Sequence, residues 1–465
     1  MDWTREFAVA VGDARLTRRA QLLGQRLMEQ MQTSLRDACH GWAEVIGAAR
    51  FFRHARVTLD AVLAPHQACT LERAQAYEVV YAIQDTTDVV ASARKVRGVG
   101  PLNGPEHTGL LWHQTWVVAP DGVPLGIWRV ETLVREDTEP RTSGARHATP
   151  LAEKESVRWL TGYQEAGALQ EAAGVPVVSV ADREADLYEI FAEVQTAAAG
   201  ATAAADWVIR GRHDRTVVLQ DGTRPRPLRL ALALAPCWGA GQVAVPARAG
   251  QPARVAAVQI KVLTVTLRPP WRPGGVKLAP VAVTVVWVHE IDPPADGLPL
   301  DWQLLTSLPV ATLAAAARVI AIYARRWDIE VFFGTWKMGC TVERLQLTTR
   351  ERLEPCLGLY AIVAWRVLWL SRLSRACPTW EATDFFSTDE WQVIRVRARQ
   401  RGEPLADGTL RSVVRAVASI GGFFARPAAE EPGVDTLWKG LMRVADGVQL
   451  LQGLRQEHVD TEMCI

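Results

Sequence analysis

Residues 321–337 read Ala-Ile-Tyr323-Ala-Arg-Arg326-Trp-Asp-Ile-Glu330-Val-Phe-Phe-Gly-Thr-Trp-Lys337. Counted from Tyr323, the polar groups Arg326, Glu330 and Lys337 stand at offsets 3, 7 and 14. On one helix turning about 100° per residue, all four fall within an arc of roughly 60°. A single carboxylate is thus framed by a phenol, a guanidinium and an ammonium. That order suits a metal-binding acid surrounded by groups that grip phosphate, whereas a face built for solubility rarely has it. Read locally, Glu330 could equally pair with Arg326 within the helix.

Two further acids lie upstream, each predicted at the end of an apolar strand. Glu78–Asp85 is a run of the buried kind closing in Asp85, and Val175–Ala181 closes in Asp182. Strand-terminal acids can converge at a sheet edge, where a third acid on a packed helix can join them. Three carboxylates in low dielectric need a counter-charge. Mg²⁺ or Mn²⁺ meets that need with oxygen ligands, and a pair of such ions can activate a water or a 3′-hydroxyl against a phosphodiester. Each acid also has a local explanation: Asp85-Thr-Thr as an Asx turn, and Asp182-Arg-Glu-Ala-Asp as a helix cap with Glu184 and Asp186 in the first turn.

Around these acids the pattern changes several times. Residues 1–70 read as helical, with arginine clusters at Arg15, Arg18 and Arg19 and at Arg50, Arg53 and Arg56. Strands are predicted at 112–118 and 123–130, joined by Pro-Asp-Gly at 120–122, then a polar loop over 134–155 and a helix over 156–172. Val-rich runs at 254–267 and 276–288 alternate with Pro/Gly turns and point to an antiparallel β insertion. A short strand at 301–307, a long helix at 313–337 and helices over 350–376 and 405–455 follow, the last two joined by a charged segment.

The bulk properties exclude more than they identify. The 465 residues are 49% hydrophobic, enough for several domains. The best apolar runs, 311–322 and 357–370, are interrupted by Arg318 and Arg366, short of the roughly 18 residues that span a bilayer. Met-Asp-Trp-Thr-Arg-Glu opens the chain without a signal-type segment. Seven scattered cysteines suit a reducing cytoplasm rather than a disulfide framework or zinc knuckle. Net charge is only +1, so DNA affinity must come from local clustering; six of the 52 basic residues are lysines and the remaining 46 are arginines, whose forks suit phosphate.

The spacing Tyr-x2-Arg-x3-Glu-x6-Lys at 323, 326, 330 and 337 resembles the signature of the DDE transposases of the insertion-sequence-four group, and within it the cut-and-paste enzymes of the transposon-five type. The likeness extends to Asp85-Thr86-Thr87, to the Asp-Arg-Glu-Ala-Asp run at 182–186 and to Trp302 through Ser307. It also covers Val208-Ile209-Arg210, Arg-Phe-Phe-Arg at 50–53, Gly-Gly-Phe-Phe at 421–424 and Pro432-Gly433 followed by Leu-Trp-x-Gly up to 440.

The resemblance implies an α/β fold: an RNase H-like catalytic core over 71–375, carrying an antiparallel β insertion at about 205–300. A helical DNA-end-binding domain (1–70) and a helical dimerisation region (376–465) would flank it. It implies Asp85, Asp182 and Glu330 as the catalytic, metal-holding triad for two Mg²⁺ ions, with Mn²⁺ able to substitute. Tyr323, Arg326 and Lys337 would hold phosphates, Trp302 would stack on a base flipped out during hairpin formation, and Arg210 would touch phosphate from the insertion. The partners implied are double-stranded DNA (transposon ends and target) and a second subunit in a synaptic homodimer cutting in trans, in a bacterial cytoplasm without membrane attachment. The departures are Gln84, on the opposite strand face from Asp85, and Gly334, which weakens the signature helix by about 1 kcal/mol. Asp328 lies about 200° from Glu330 around the helix and is no replacement for it. A domesticated nuclease of the same fold, or a DNA-binding regulator without catalysis, would share parts of this pattern.

Overall fold

The computed structural model describes residues 3–463 except 31–33, 92–95, 105–106, 137–148, 199–203, 221, 223, 248–250, 273–276, 296–297, 404, 406 and 425–430; much of the expected polar loop over 134–155 therefore lies outside the described residues. Three helices open the chain: α1 (Ala14–Glu29), α2 (Trp42–Phe51) and α3 (Leu59–Ala74). Asp13 caps α1 by accepting from the Arg15 N–H, and Thr58 caps α3 by accepting from the Ala61 N–H. The boundary expected near residue 70 falls inside α3, which is tied to the catalytic-side sheet.

Strands β1 (Val80–Val90), β2 (Gly100–Pro101), β3 (Thr108–Val118) and β4 (Pro124–Leu133) come next, followed by helix α4 (Val157–Ala173), strand β5 (Val177–Ala181), helix α5 (Tyr188–Ala198) and strand β6 (Asp206–Arg210). Neighbouring strands run β4-β3-β1-β5-β6, with β3 and β4 antiparallel and β1, β5 and β6 parallel to one another. This three-antiparallel, two-parallel order with helix α4 crossing between β4 and β5 is the RNase H-like core. Because helices cover both faces, β3 is buried over ten consecutive residues, with apolar residues flanking a buried polar centre at His113, Gln114 and Thr115 rather than alternating with exposed ones.

Beyond the core come β7 (Thr216–Leu219), β8 (Arg226–Pro227), helix α6 (Leu228–Leu234), β9 (Cys237–Val245), β10 (Arg254–Leu267), β11 (Val281–Glu290) and β12 (Asp301–Thr306). They continue the same sheet antiparallel, joined to the core where β12 pairs with β6. Buried Ala256, Val258 and Ile260 alternate with exposed Val255, Ala257 and Gln259 on β10, the mark of a sheet covered on one face. The expected start of the insertion, about 205, is corrected: 206–210 pairs in parallel with β5, so Arg210 ends a core strand and the antiparallel part begins after it.

The expected single helix over 313–337 is also corrected. It consists of α7 (Leu313–Ala324), a tight joint at Arg325–Arg326, α8 (Trp327–Gly334), and a widened π turn over Thr335–Gly339. At the joint the N–H groups of Arg325, Arg326 and Asp328 bond three residues back, to Ile322, Tyr323 and Arg325. Gly334 closes α8 instead of sitting inside a longer helix.

Helix α9 (Arg350–Ala376) is the central post of the fold. By length and composition it could cross a membrane, yet its most apolar stretch is 94% buried within this chain. Its Arg366 stacks over Trp3, 4.5 Å from the ring centre, and lies 3.8 Å from Glu390. Helices α10 (Thr388–Gln400), α11 (Leu410–Ile420) and α12 (Val434–Met463) complete the chain. The charged segment expected between helices thus contains α10, started by a capping box between Ser387 and Glu390.

The N-terminal segment is pinned to the core by a buried carboxylate. Glu6 accepts from His66 Nδ1 and Arg73 Nη1, each at 2.5 Å, and His66 Nε2 accepts from the Ile127 N–H of β4 at 3.0 Å. Arg73 also donates to the Leu125 carbonyl and lies over Trp365. Burial alone would raise the Glu6 carboxyl; His66 and Arg73 outweigh it and hold it at about 2. A carboxyl depressed in the folded state stabilises above its unfolded value and loses that contribution as pH falls through the folded one. Glu6→Gln is therefore expected to cost about 3–5 kcal/mol near neutrality. The gap from wild type should close as pH drops from about 4.5 towards 2 in urea melts. A gap that stayed constant across that range would disprove the assignment.

Candidate active site

The parallel ladder between β1 and β5 ends at Gln84↔Ala181, so the next residue on each strand is an acid: Asp85 and Asp182. Parallel neighbours in register point to the same face, and strands lie about 4.8 Å apart. The sequence expectation that Asp85 closes its strand needs revision, since β1 continues to Val90 against β3. It is the parallel partner that stops there, which leaves the largely buried Asp85 side chain beside the end of β5. Asp182 caps the short turn Arg183–Ala185 by accepting from the Glu184 N–H at 2.8 Å. The cap expected from sequence is real and coexists with the placement beside Asp85.

Glu330 comes from α8, and Arg326 brings it to Asp85. The buried Arg326 guanidinium donates through Nη1 to Asp85 Oδ2 at 3.2 Å and through Nη2 to Glu330 Oε1 at 2.5 Å. Burial pulls Arg326 down, and Tyr323, Glu330 and Asp85 outweigh it and strengthen its hold on the proton. Asp85 is pushed up to about 7: burial does most of this, with Asp182 and Glu330 adding repulsion and Arg326 and the Thr86 N–H opposing. The intrahelical pair weighed for Glu330 is present as well, as one half of this bridge. Asp328 faces away, 3.2 Å from Arg372 and 3.8 Å from Arg325.

The other candidate residues are distributed as follows. Lys337, on the π turn, lies 3.3 Å from the Thr87 hydroxyl and 3.4 Å from Glu343, whose carboxylate also accepts from the Val90 N–H. Tyr323 is 3% exposed and interacts with Arg326. Trp302 is 5% exposed, packed edge-on to Tyr323 at 4.8 Å and against Trp327 at 5.4 Å. In this conformation Trp302 is a core residue with no face open to a base. Arg210 donates to the Asp301 carbonyl at 3.1 Å, at the core end of β6.

Two acids near the site have structural partners that the sequence reading did not find. Glu343 is one. The other is Asp186, which accepts from the N–H groups of Arg212 and His213 and pairs with Arg215 at 2.5 Å. It staples the first residues after β6 to the turn that carries Asp182. Its place in the Asp-Arg-Glu-Ala-Asp run was the available signal; the long-range partner was invisible.

The donor set of Asp85, Asp182 and Glu330 is all carboxylate oxygen, as hard divalent cations require. Arg326 opposes its mutual repulsion, and burial keeps the Asp85 carboxyl raised all the same. These residues fit such an ion in chemistry. As they stand, no three His, Cys, Asp or Glu side chains among the described residues converge closely enough to hold one. The reason is visible: Arg326 lies between Asp85 and Glu330.

Three family models match the chain in order: Transposase DNA-binding over residues 2–57, Transposase DDE domain over 156–365, and Transposase Tn5 dimerisation domain over 362–459. A solved structure described as the cryo-EM structure of piggyBac transposase synaptic complex with hairpin DNA is similar at 10% identity and a TM-score of 0.30. The match covers 64% of this chain and 48% of that one, so this chain spans about half of that protein's length. The chain thus carries, in that order, the DNA-binding, DDE and dimerisation domains of a Tn5-type transposase.

Proposed function

We propose that this protein is a metal-dependent cut-and-paste DNA transposase whose reacting centre is formed by Asp85, Asp182 and Glu330. What supports the reading is the register that ends β5 beside Asp85, together with the single guanidinium joining Asp85 to Glu330. The substrates are the inverted repeats at the transposon ends and a target duplex, in a bacterial cytoplasm and on its nucleoid. A homodimer acts in trans, each subunit cutting the end held chiefly by the other.

Asp85, Asp182 and Glu330 would hold the Mg²⁺ ions. When bound, two such ions supply activation of the attacking oxygen and stabilisation of the leaving one. The chain's own groups orient the DNA. Arg326 and Lys337 offer charged donors beside the acids, and Tyr323 supports Arg326 from within the core. Phosphate contacts of this kind fix register rather than sequence. The order of steps is a hydrolytic nick, attack of the freed 3′-hydroxyl on the opposite strand to give a hairpin, hairpin opening, and strand transfer. Arg210, at the junction with the insertion, reaches the DNA backbone once released from Asp301. Trp302 takes part in hairpin formation only if the Tyr323–Trp327 packing opens around it.

Two outcomes are expected. With DNA bearing the repeats that flank its gene, Glu330→Gln should lose Mg²⁺-dependent cleavage by more than about 100-fold, since even outer-shell partners of a metal cost 10–100-fold. Cleavage at the wild-type rate would dismiss the triad, and wild-type end binding with no Mg²⁺-dependent product would favour the regulator. Trp302→Ala should lower stability by about 3–5 kcal/mol in chemical denaturation, as large buried aromatics do. A stability unchanged within 1 kcal/mol would mean that Trp302 is not the core residue described above.

A further inference from the structure

The β1–β5 ladder stops one residue before Asp85 and Asp182, so no backbone hydrogen bond between these two strands fixes one acid against the other. A side chain does. Arg158, in the first turn of α4, is 7% exposed. Its Nε donates to Thr86 Oγ1 at 3.1 Å, its Nη2 to Glu184 Oε2 at 3.0 Å, and its Nη1 to the Glu155 carbonyl at 2.8 Å.

The two residues it grips are the two that hold the acids. The Thr86 N–H donates to Asp85 Oδ1 and the Glu184 N–H donates to Asp182 Oδ1, both at 2.8 Å. Each carboxylate therefore has one oxygen fixed by a backbone N–H, and one guanidinium fixes both residues that supply those N–H groups. Thr86 is held from its other side by His113 Nδ1 at 2.9 Å. The planar fork of arginine spans two acceptors in a fixed geometry; an ammonium on a flexible stem serves one at a time.

We infer that Arg158 is a positioning residue that sets the separation and orientation of Asp85 and Asp182 for a shared divalent ion. The inference rests on the metal-dependent reading above and adds to it a residue outside the Tyr-Arg-Glu-Lys signature.

The test is calorimetric titration of the full-length protein with Mn²⁺ alone, without DNA, alongside circular dichroism and thermal melts. Arg158→Ala is expected to bind Mn²⁺ about 10–100-fold more weakly while keeping the wild-type spectrum, as loss of an outer-shell orienting group does. Arg158→Lys, which retains one contact, should fall between. Glu184→Gln, at an exposed carboxylate, should weaken Mn²⁺ in the same direction without a change in melting temperature; it and Thr86→Val decide the matter if Arg158→Ala fails to fold. Wild-type Mn²⁺ affinity in a folded Arg158→Ala, or in both Glu184→Gln and Thr86→Val, overturns the inference. No Mn²⁺ binding by the wild type overturns instead the metal-dependent reading on which it rests.

Discussion

The Arg326 guanidinium between Asp85 and Glu330 is the contact on which the arrangement of the site depends. Two carboxylates from distant parts of the chain approach each other only because a cation separates them. In a partly buried setting the attraction of one guanidinium for two carboxylates exceeds what an exposed pair offers. It does not balance the charge. Asp182 adds to the repulsion felt by Asp85, and Lys337 is engaged by Glu343 and Thr87. Burial, with that repulsion added, keeps the Asp85 carboxyl raised against the pull of Arg326.

A site with unbalanced charge has to be held open by the rest of the fold. The β1–β5 register sets Asp85 beside Asp182, one helical turn of α8 brings Glu330 onto Arg326, and the π turn carries Lys337 to β1. Behind the two strand ends, Arg158 fixes Thr86 and Glu184, and Asp186 secures the entry to the insertion. Elements that looked like separate domains in the sequence share this support. Helix α3 bonds to β4 through Gln67 and Arg73, and Trp3 packs on Trp365 and Trp369 of α9.

Much of this was legible because the signals were local. Apolar runs located β3, β5 and β10, and turn residues located the β3–β4 hairpin. Of the residues spaced at 323-326-330-337, Tyr323, Arg326 and Glu330 meet, while Lys337 turns to Thr87 and Glu343. What stayed hidden required long-range partners or a departure from ideal geometry. A wheel of about 100° per residue cannot show the joint at 325–326 or the π turn, because apolar residues continue through both. Helix α10 hid in a charged segment because its arginines face solvent and only Val393, Ile394 and Ala398 are buried. Burial of Trp302 by Tyr323 and Trp327 follows from β12 lying beneath α7 and α8, a fact of packing rather than of motif.

Charge counting extends the argument to the loaded site. Asp85, Asp182 and Glu330 offer three negative charges when ionised, and Arg326 returns one. On the proposed reading, divalent ions at these carboxylates supply the missing compensation, and the fork of Arg326 then has no carboxylate that depends on it. Phosphate is the acceptor whose geometry that fork matches next best. On that reading the residue that joins the acids in the protein alone would be free to face the DNA end. Metal loading and phosphate capture would then be linked through one guanidinium, with Thr86 and Glu184 still held by Arg158.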